Sequence, residues 1–329
     1  SDLYEIKTSL SHNSVIDVNS EGLIGFHFQN YDQGALGQEE SHLVHTRTSS
    51  FALFALESFN FDLFDLDVGG RLESVNLKNT SMEKGFFPGA FSSTIKREIF
   101  TNNTVFGGFD FTERAPNAVE LFANGPHHAL EQFEVGDTNM DVETSYNFSL
   151  GYSYNDGLDN LKIETYYNYI DDFIAADRDG TTTEVEGEDM NNVNFSQYNA
   201  LFTGLEVTGQ YAFAKIDDFD IISSVMIDFL KGYRTSNDTA LSRIPQTKMN
   251  FGIRAVNEEW DANLAYYHYF DKEFIGPFQT RTGGHSRLDF DLTRDFNYSD
   301  LSGHLMFTAS NLLDVVGRNH LESKKAHVQ

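Results

Sequence analysis

Two adjacent histidines, His127 and His128, stand in the stretch NGPHHALEQFEVGD, residues 124 to 137, with Glu131 and Glu134 close behind them. Neutral imidazole suits zinc, and a carboxylate can complete a tetrahedral or water-bearing site. Neighbouring residues on a regular strand point to opposite faces, so both histidines reach one ion only where the backbone is irregular. A second stretch, YDQGALGQEESHLVHT, carries Glu39, Glu40, His42 and His45, the two histidines three positions apart. A third, DRDGTTTEVEGEDMNN from Asp177 to Asn192, gathers six carboxylates. It lacks the EF-hand ligand spacing, so a solvated acidic loop that concentrates cations is favoured over a calcium site. The chain has no cysteine, so any metal falls to His, Asp, Glu or backbone oxygen. No nucleophile-elbow sequence supports a Ser-His-Asp enzyme. His268 and His304 fall on strand parities and read as structural.

The elements that position these groups follow from charge and periodicity. A formal charge of -27 argues against a nucleic-acid partner, because phosphate binding is built on Lys and Arg. Thirty Phe and 15 Tyr against only 5 Pro point to strands. The chain holds no apolar run long enough for a transmembrane helix. SDLYEIKTSL has neither the basic nor the apolar region of a signal peptide, so the chain reads as mature or as a fragment. Tyr146, Phe148, Leu150, Tyr152 and Tyr154 alternate with Asn147, Ser149, Gly151 and Ser153, which predicts a strand with an apolar face and a small polar face. The same parity recurs around Met249 to Ala255, Trp260 to Tyr266 and Leu305 to Ala309. Lys162, Glu164, Asp289 and Asp291 take the polar parity.

About fourteen such segments are legible, and their connections alternate between short and long. Tight turns are predicted near Asp156-Gly157, Asp217, Asn257 to Glu259 and Asn297, with long connections at about 176–200, 232–247 and up to about Ser286. A soluble sandwich also alternates its faces, but it has no reason to sort its loops by length. Sorted loops, aromatic strand ends and lumen-parity charges predict an all-β, transmembrane antiparallel β-barrel. Pro116 to Phe122 predicts one short helix at the start of the His127 loop, with Gly125 able to end it. The polar end NHLESKKAHVQ carries no aromatic-capped final strand, so residues 1–329 read as a partial barrel, interrupted at both ends.

FTERAPNAVELFANGPH, FEVGDTNMDVETSYNFSLGY, YYNYIDDFI, LFTGLEVTGQY, SRIPQTKMNFGI and SNLLDVVGRNH together resemble the C-terminal barrel of TonB-dependent outer-membrane receptors. The resemblance covers nearly everything from about Gly22 onward. NGPHHALEQFEVG and GRNH are similar, more narrowly, to the zinc-uptake branch, whereas GDTNM departs from the Asn-Pro commonly found before the next strand. The resemblance implies a barrel of about 22 strands, of which this chain would hold about 14, and an N-terminal plug with a TonB box outside these residues. It implies import driven through the TonB complex, no covalent chemistry, and zinc or a small zinc complex as transported substrate. Outer-membrane lipid and lipopolysaccharide would surround a monomer. His127 matches the single histidine of the family's Gly-Pro-His motif and is preferred to His128. Glu39 and Glu40 match a Gly-Glu-Glu stretch, with His42 and His45 beside them. Haem or a siderophore is the rival substrate within the family; a passive porin or a docking barrel is the rival outside it.

Overall fold

The computed structural model describes residues 3–13, 19–34, 42–298 and 301–321. Strand alternation organises all of it. The chain runs through β1 (Leu3–Asn13), β2 (Asn19–Gln33), β3 (Thr46–Asn60), β4 (Asp65–Lys78), β5 (Glu83–Phe86), β6 (Gly89–Phe100) and β7 (Asn103–Arg114). It continues through the helix α1 (Ala118–Phe122), β8 (Asn124–His127), β9 (Gln132–Val135), β10 (Glu143–Asp156), β11 (Asp159–Val185) and β12 (Glu188–Ile216). Last come β13 (Phe219–Arg234), β14 (Lys248–Val256), β15 (Trp260–Tyr269), β16 (His285–Tyr298) and β17 (Leu301–Ala309). Seventeen strands form one sheet. Setting aside the short β5, β8 and β9, fourteen remain, each antiparallel to the next in a meander.

Register carries one apolar face across the sheet. Phe109 stands opposite Phe148, which stands opposite Tyr167. Further round, Val225 faces Phe251, Phe251 faces Tyr266, and Tyr266 faces Leu288. Many of these side chains are exposed, Leu150 at 64% and Ile253 at 55% among them. An unbroken exposed apolar band of this kind is what lipid, not water, solvates. The opposite parity holds the charges: Lys162 pairs with Glu164 at 2.7 Å and Arg254 with Asp261 at 2.6 Å. A charge on that side meets partners and avoids hydrocarbon.

Connections are sorted by rim. Between β3 and β4, β6 and β7, β10 and β11, β12 and β13, and β14 and β15 the turns are tight. Asn102, Gly157 and Asp217 supply left-handed residues in three of them. The connections after β2, β4, β7, β13 and β15 are long and share the opposite rim with the tip joining β11 to β12.

One predicted connection is instead a ribbon. Residues 176–200 do not form a loop: β11 and β12 run on well past the lipid-facing band and turn at Glu186-Gly187, both left-handed. Above the rim both faces of a strand meet water or polar loops, so the sequence has no reason to alternate there. The carboxylates of 177–192 thus hang from a two-stranded ladder with a register shift between Arg178 and Thr182, and among the described residues none belongs to a cluster with metal-ligand spacing. Asp177 instead pairs with Arg234. Hydrogen bonds from Thr181 hold the Asp179 carboxyl below its usual range.

Candidate metal centre

The segment between β7 and β10 is anchored before it reaches the histidines. Asn117 caps α1: its side-chain oxygen accepts from the amides of Val119 and Glu120 at 2.9 and 3.0 Å, while Glu120 accepts from the Asn117 amide at 2.8 Å. This reciprocal pair satisfies the amides that a five-residue helix otherwise leaves open. Arg114, the last residue of β7, reaches Glu120 at 2.9 Å and Glu143 of β10 at 3.2 Å, so one guanidinium ties the helix to both flanking strands. Ala118 and Leu121 are buried with Leu43, Leu77, Phe86, Met140 and Ile174. The RAPNAVELF motif therefore acts as an anchor.

Beyond Ala123, which ends the helix in place of the predicted Gly125, the chain forms the β8–β9 hairpin. Gly136 is required there: a Cβ at that position would meet the Leu121 carbonyl carbon at 2.7 Å. β9 also pairs in parallel with β12, Gln132 opposite Asn191 and Val135 opposite Asn194. The connection after β2 docks on the same hairpin. The Asn124 amide donates to the His42 carbonyl at 3.0 Å, and Leu43 bridges to Ala123.

These constraints bring His42, His127 and Glu134 together. His42 Nε2 lies 2.9 Å from one Glu134 oxygen, and His127 Nδ1 lies 3.2 Å from the other. The two imidazole centroids are 5.1 Å apart. His42 and Glu134 are buried and His127 is half-buried. One donor atom from each lies within 4.8 Å of the other two. Ligand atoms at ~2.1 Å from a tetrahedral zinc sit roughly 3.4 Å from each other, so small side-chain adjustments admit an ion. Two nitrogens and one carboxylate leave a fourth position open. Among the described residues this is the group of three with ligand spacing.

The other sequence candidates lie elsewhere. His128 opens a 3₁₀ turn, His128–Leu130, and falls outside the group, because the chain bends between the two histidines instead of turning both inward. His45 is exposed beyond the Leu43 bridge and also falls outside it. Glu39 and Glu40 lie outside the described residues. Glu131 takes the left-handed conformation that closes the 3₁₀ turn, so Glu134 is the carboxylate that converges. Gln132 and Glu134 are both buried, on one face of β9. His268 donates to or accepts from Ser286 at 2.9 Å and stacks on Tyr266, a structural role.

The molecule is thus an outer-membrane β-barrel with a nitrogen- and oxygen-lined cluster among its longer loops. Residues 3–312 match the family described as TonB dependent receptor-like, beta-barrel, and the chain belongs to that family. Its members are transporters of the outer membrane and not enzymes. Among solved structures, "Copper transporter OprC" is similar at 15% identity and TM-score 0.76, over 97% of this chain and 52% of that one. The ferric enterobactin receptor PfeA from Pseudomonas aeruginosa is similar at 14% identity and TM-score 0.68, over 95% of this chain and 49% of that one. The FrpB iron transporter from Neisseria meningitidis is similar at 11% identity and TM-score 0.68, over 98% and 53%. At such identities the likeness shows a shared fold. The chain spans about half the length of these structures.

Proposed function

We propose that this chain supplies the barrel of a receptor that captures zinc, free or in a small complex, on the extracellular rim and imports it. The observation that carries the reading is the convergence of His42, His127 and Glu134 from separate loops onto one point with metal-ligand spacing. Neutral imidazole with carboxylate is a zinc donor set; copper(I) is favoured by Cys and Met, neither of which is in the group. A copper transporter shares the fold, and imidazole also accepts copper(II), so copper is the second metal to test. Haem requires an axial His open to a spacious apolar pocket, whereas both imidazoles here are held by a carboxylate. Coupling to TonB through a plug, and a monomer set in lipid and lipopolysaccharide, belong to the same reading.

Calorimetric titration of the whole receptor in detergent tests it. Zinc should bind the parent, and His127→Ala should weaken it by roughly 100-fold or more, beyond the effect of losing an outer-shell partner. Equal affinity in parent and variant removes the cluster from the transport path. Tighter binding of copper(II) than its general advantage over zinc explains would move the assignment to copper.

A further inference from the structure

Beside the histidine cluster, on the same rim, lies a cavity of about 260 Å³ whose chemistry is opposite to that of the rest of the protein. In a chain with 50 acidic and 23 basic residues, the cavity is lined by Arg178, Arg243 and Arg318 and by no Asp or Glu. Its floor holds two buried polar side chains, Gln132 and His320, 6% and 5% exposed. Gln132 Oε1 and His320 Nε2 have no hydrogen-bond partner among the described residues. His320 Nδ1 is engaged by Thr282 Oγ1 at 2.8 Å, and with the hydroxyl as donor Nε2 carries the proton and donates into the cavity. Burial, then the Lys272 and Arg318 charges, hold His320 below the ordinary imidazole range.

The cavity adjoins the proposed metal site through β9. Gln132 stands opposite His127 in the β8–β9 register and two residues before Glu134. Residues i and i+2 on a strand share a face and lie about 7 Å apart. Gln132, which lines the cavity, thus shares a face of β9 with Glu134 of the cluster.

From this placement we propose that Arg178, Arg243 and His320 form an anion subsite that takes a carboxylate arm of a small polycarboxylate, whose other arm fills the open coordination position of the metal. The proposal rests on the metal reading above and extends it: the metal and the anion bind together. Arginine is suited to the task because its planar fork pairs two donors with a carboxylate. A patch of this sign is also what an anion needs in order to approach a surface whose net charge is -27. Exposed arginines at the mouth draw the anion in, and the buried His320 donor at the floor fixes it.

The test uses the whole receptor in detergent with zinc chloride and sodium citrate as probes. Citrate is titrated into metal-free receptor and into receptor loaded with one equivalent of zinc. The parent should bind citrate in both states and more tightly when loaded. The double variant Arg178→Ala, Arg243→Ala should bind citrate roughly tenfold more weakly in both, while its affinity for zinc chloride alone is unchanged. Arg178→Lys with Arg243→Lys should fall between, because lysine keeps the charge and loses the fork. Both arginines are exposed, so the fold survives their removal. Citrate binding that ignores the arginines, or citrate that only strips zinc from the receptor, overturns the subsite. Zinc binding that ignores His127→Ala overturns the metal reading instead, and the metal-free citrate titration then decides the subsite by itself.

Discussion

The Glu134 carboxylate lies 2.9 Å from Nε2 of His42, a residue 92 positions earlier in the chain. Two separate loops meet at that contact. Glu134→Gln preserves the shape and leaves both imidazoles a hydrogen-bonding partner, but it removes the negative charge that a cation needs. Zinc affinity should fall by roughly 100-fold or more, with little change in thermal stability of the metal-free receptor. Radioactive zinc binding measures it, and a change under about threefold, less than 1 kcal/mol, would exclude Glu134 as a ligand.

Arg114 spans three elements, and its loss should be felt at the cluster it does not touch. Arg114→Ala frees Glu120 and Glu143 together, loosening α1 against β7 and β10. Its side chain is 42% exposed, so solvent screening limits the loss to about 1 kcal/mol. Hydrogen exchange should rise across residues 115–142 while the barrel strands stay protected. Zinc affinity should drop severalfold. Unaltered exchange in that segment would show that the apolar cluster around Leu121 holds α1 without the ion pairs.

Ile253 and Arg254 are neighbours on β14 with opposite surroundings. Ile253 lies in the exposed apolar band, whereas Arg254 forms a two-pronged pair with Asp261. Ile253→Arg should destabilise the barrel by about 2–4 kcal/mol if it lies near the bilayer midplane. Folding titrations into phospholipid vesicles give the value. A neutral result would mean that this face meets protein or water.

Mild acid should loosen the loop that carries His320. Burial, then the charges of Lys272 and Arg318, lower its pKa from 6.5, so the folded state binds fewer protons than the unfolded one just below that value. The stabilisation is complete above pH 6.5 and is lost as the pH falls toward the folded value. Lys272, held below the usual ammonium range by burial, lies in the same loop cluster. Amide exchange around Thr282 and His320 should therefore accelerate from pH 7 to pH 5, and His320→Gln should flatten the dependence. A pH-independent rate in the parent would contradict it.

The barrel was legible because lipid and water impose a two-residue period, which Tyr146 to Tyr154 and Met249 to Ala255 display openly. The sorting of the connections added the two rims. The same physics explains what stayed hidden. Residues 176–200 leave the bilayer, lose the period and pass for a loop, although most of their backbone pairs across the ladder, with one register shift between Arg178 and Thr182. β8 and β9 are four residues each, too short for any pattern to emerge. His127 was readable from residue type and motif. The choice of Glu134 over Glu131 depended on a left-handed turn that sequence does not announce. His42 stood out as a donor, but its meeting with His127 is a tertiary fact, set by the Leu43 to Ala123 bridge.

The parallel pairing of β9 with β12 gives the two halves of the cluster unequal freedom. Glu134 rides on a strand that is continuous, through β12, with the wall of the barrel, so it is stationary relative to the bilayer. Among the described residues, the backbone at His42 and Leu43 meets the hairpin through one carbonyl bond and one isolated bridge, with the His42–Glu134 contact and the packing of Leu43 beside them, and no ladder. On the proposed reading, a motion that parts the cluster would therefore move the His42 side, because moving the other side would tear a ladder that runs down into the barrel wall.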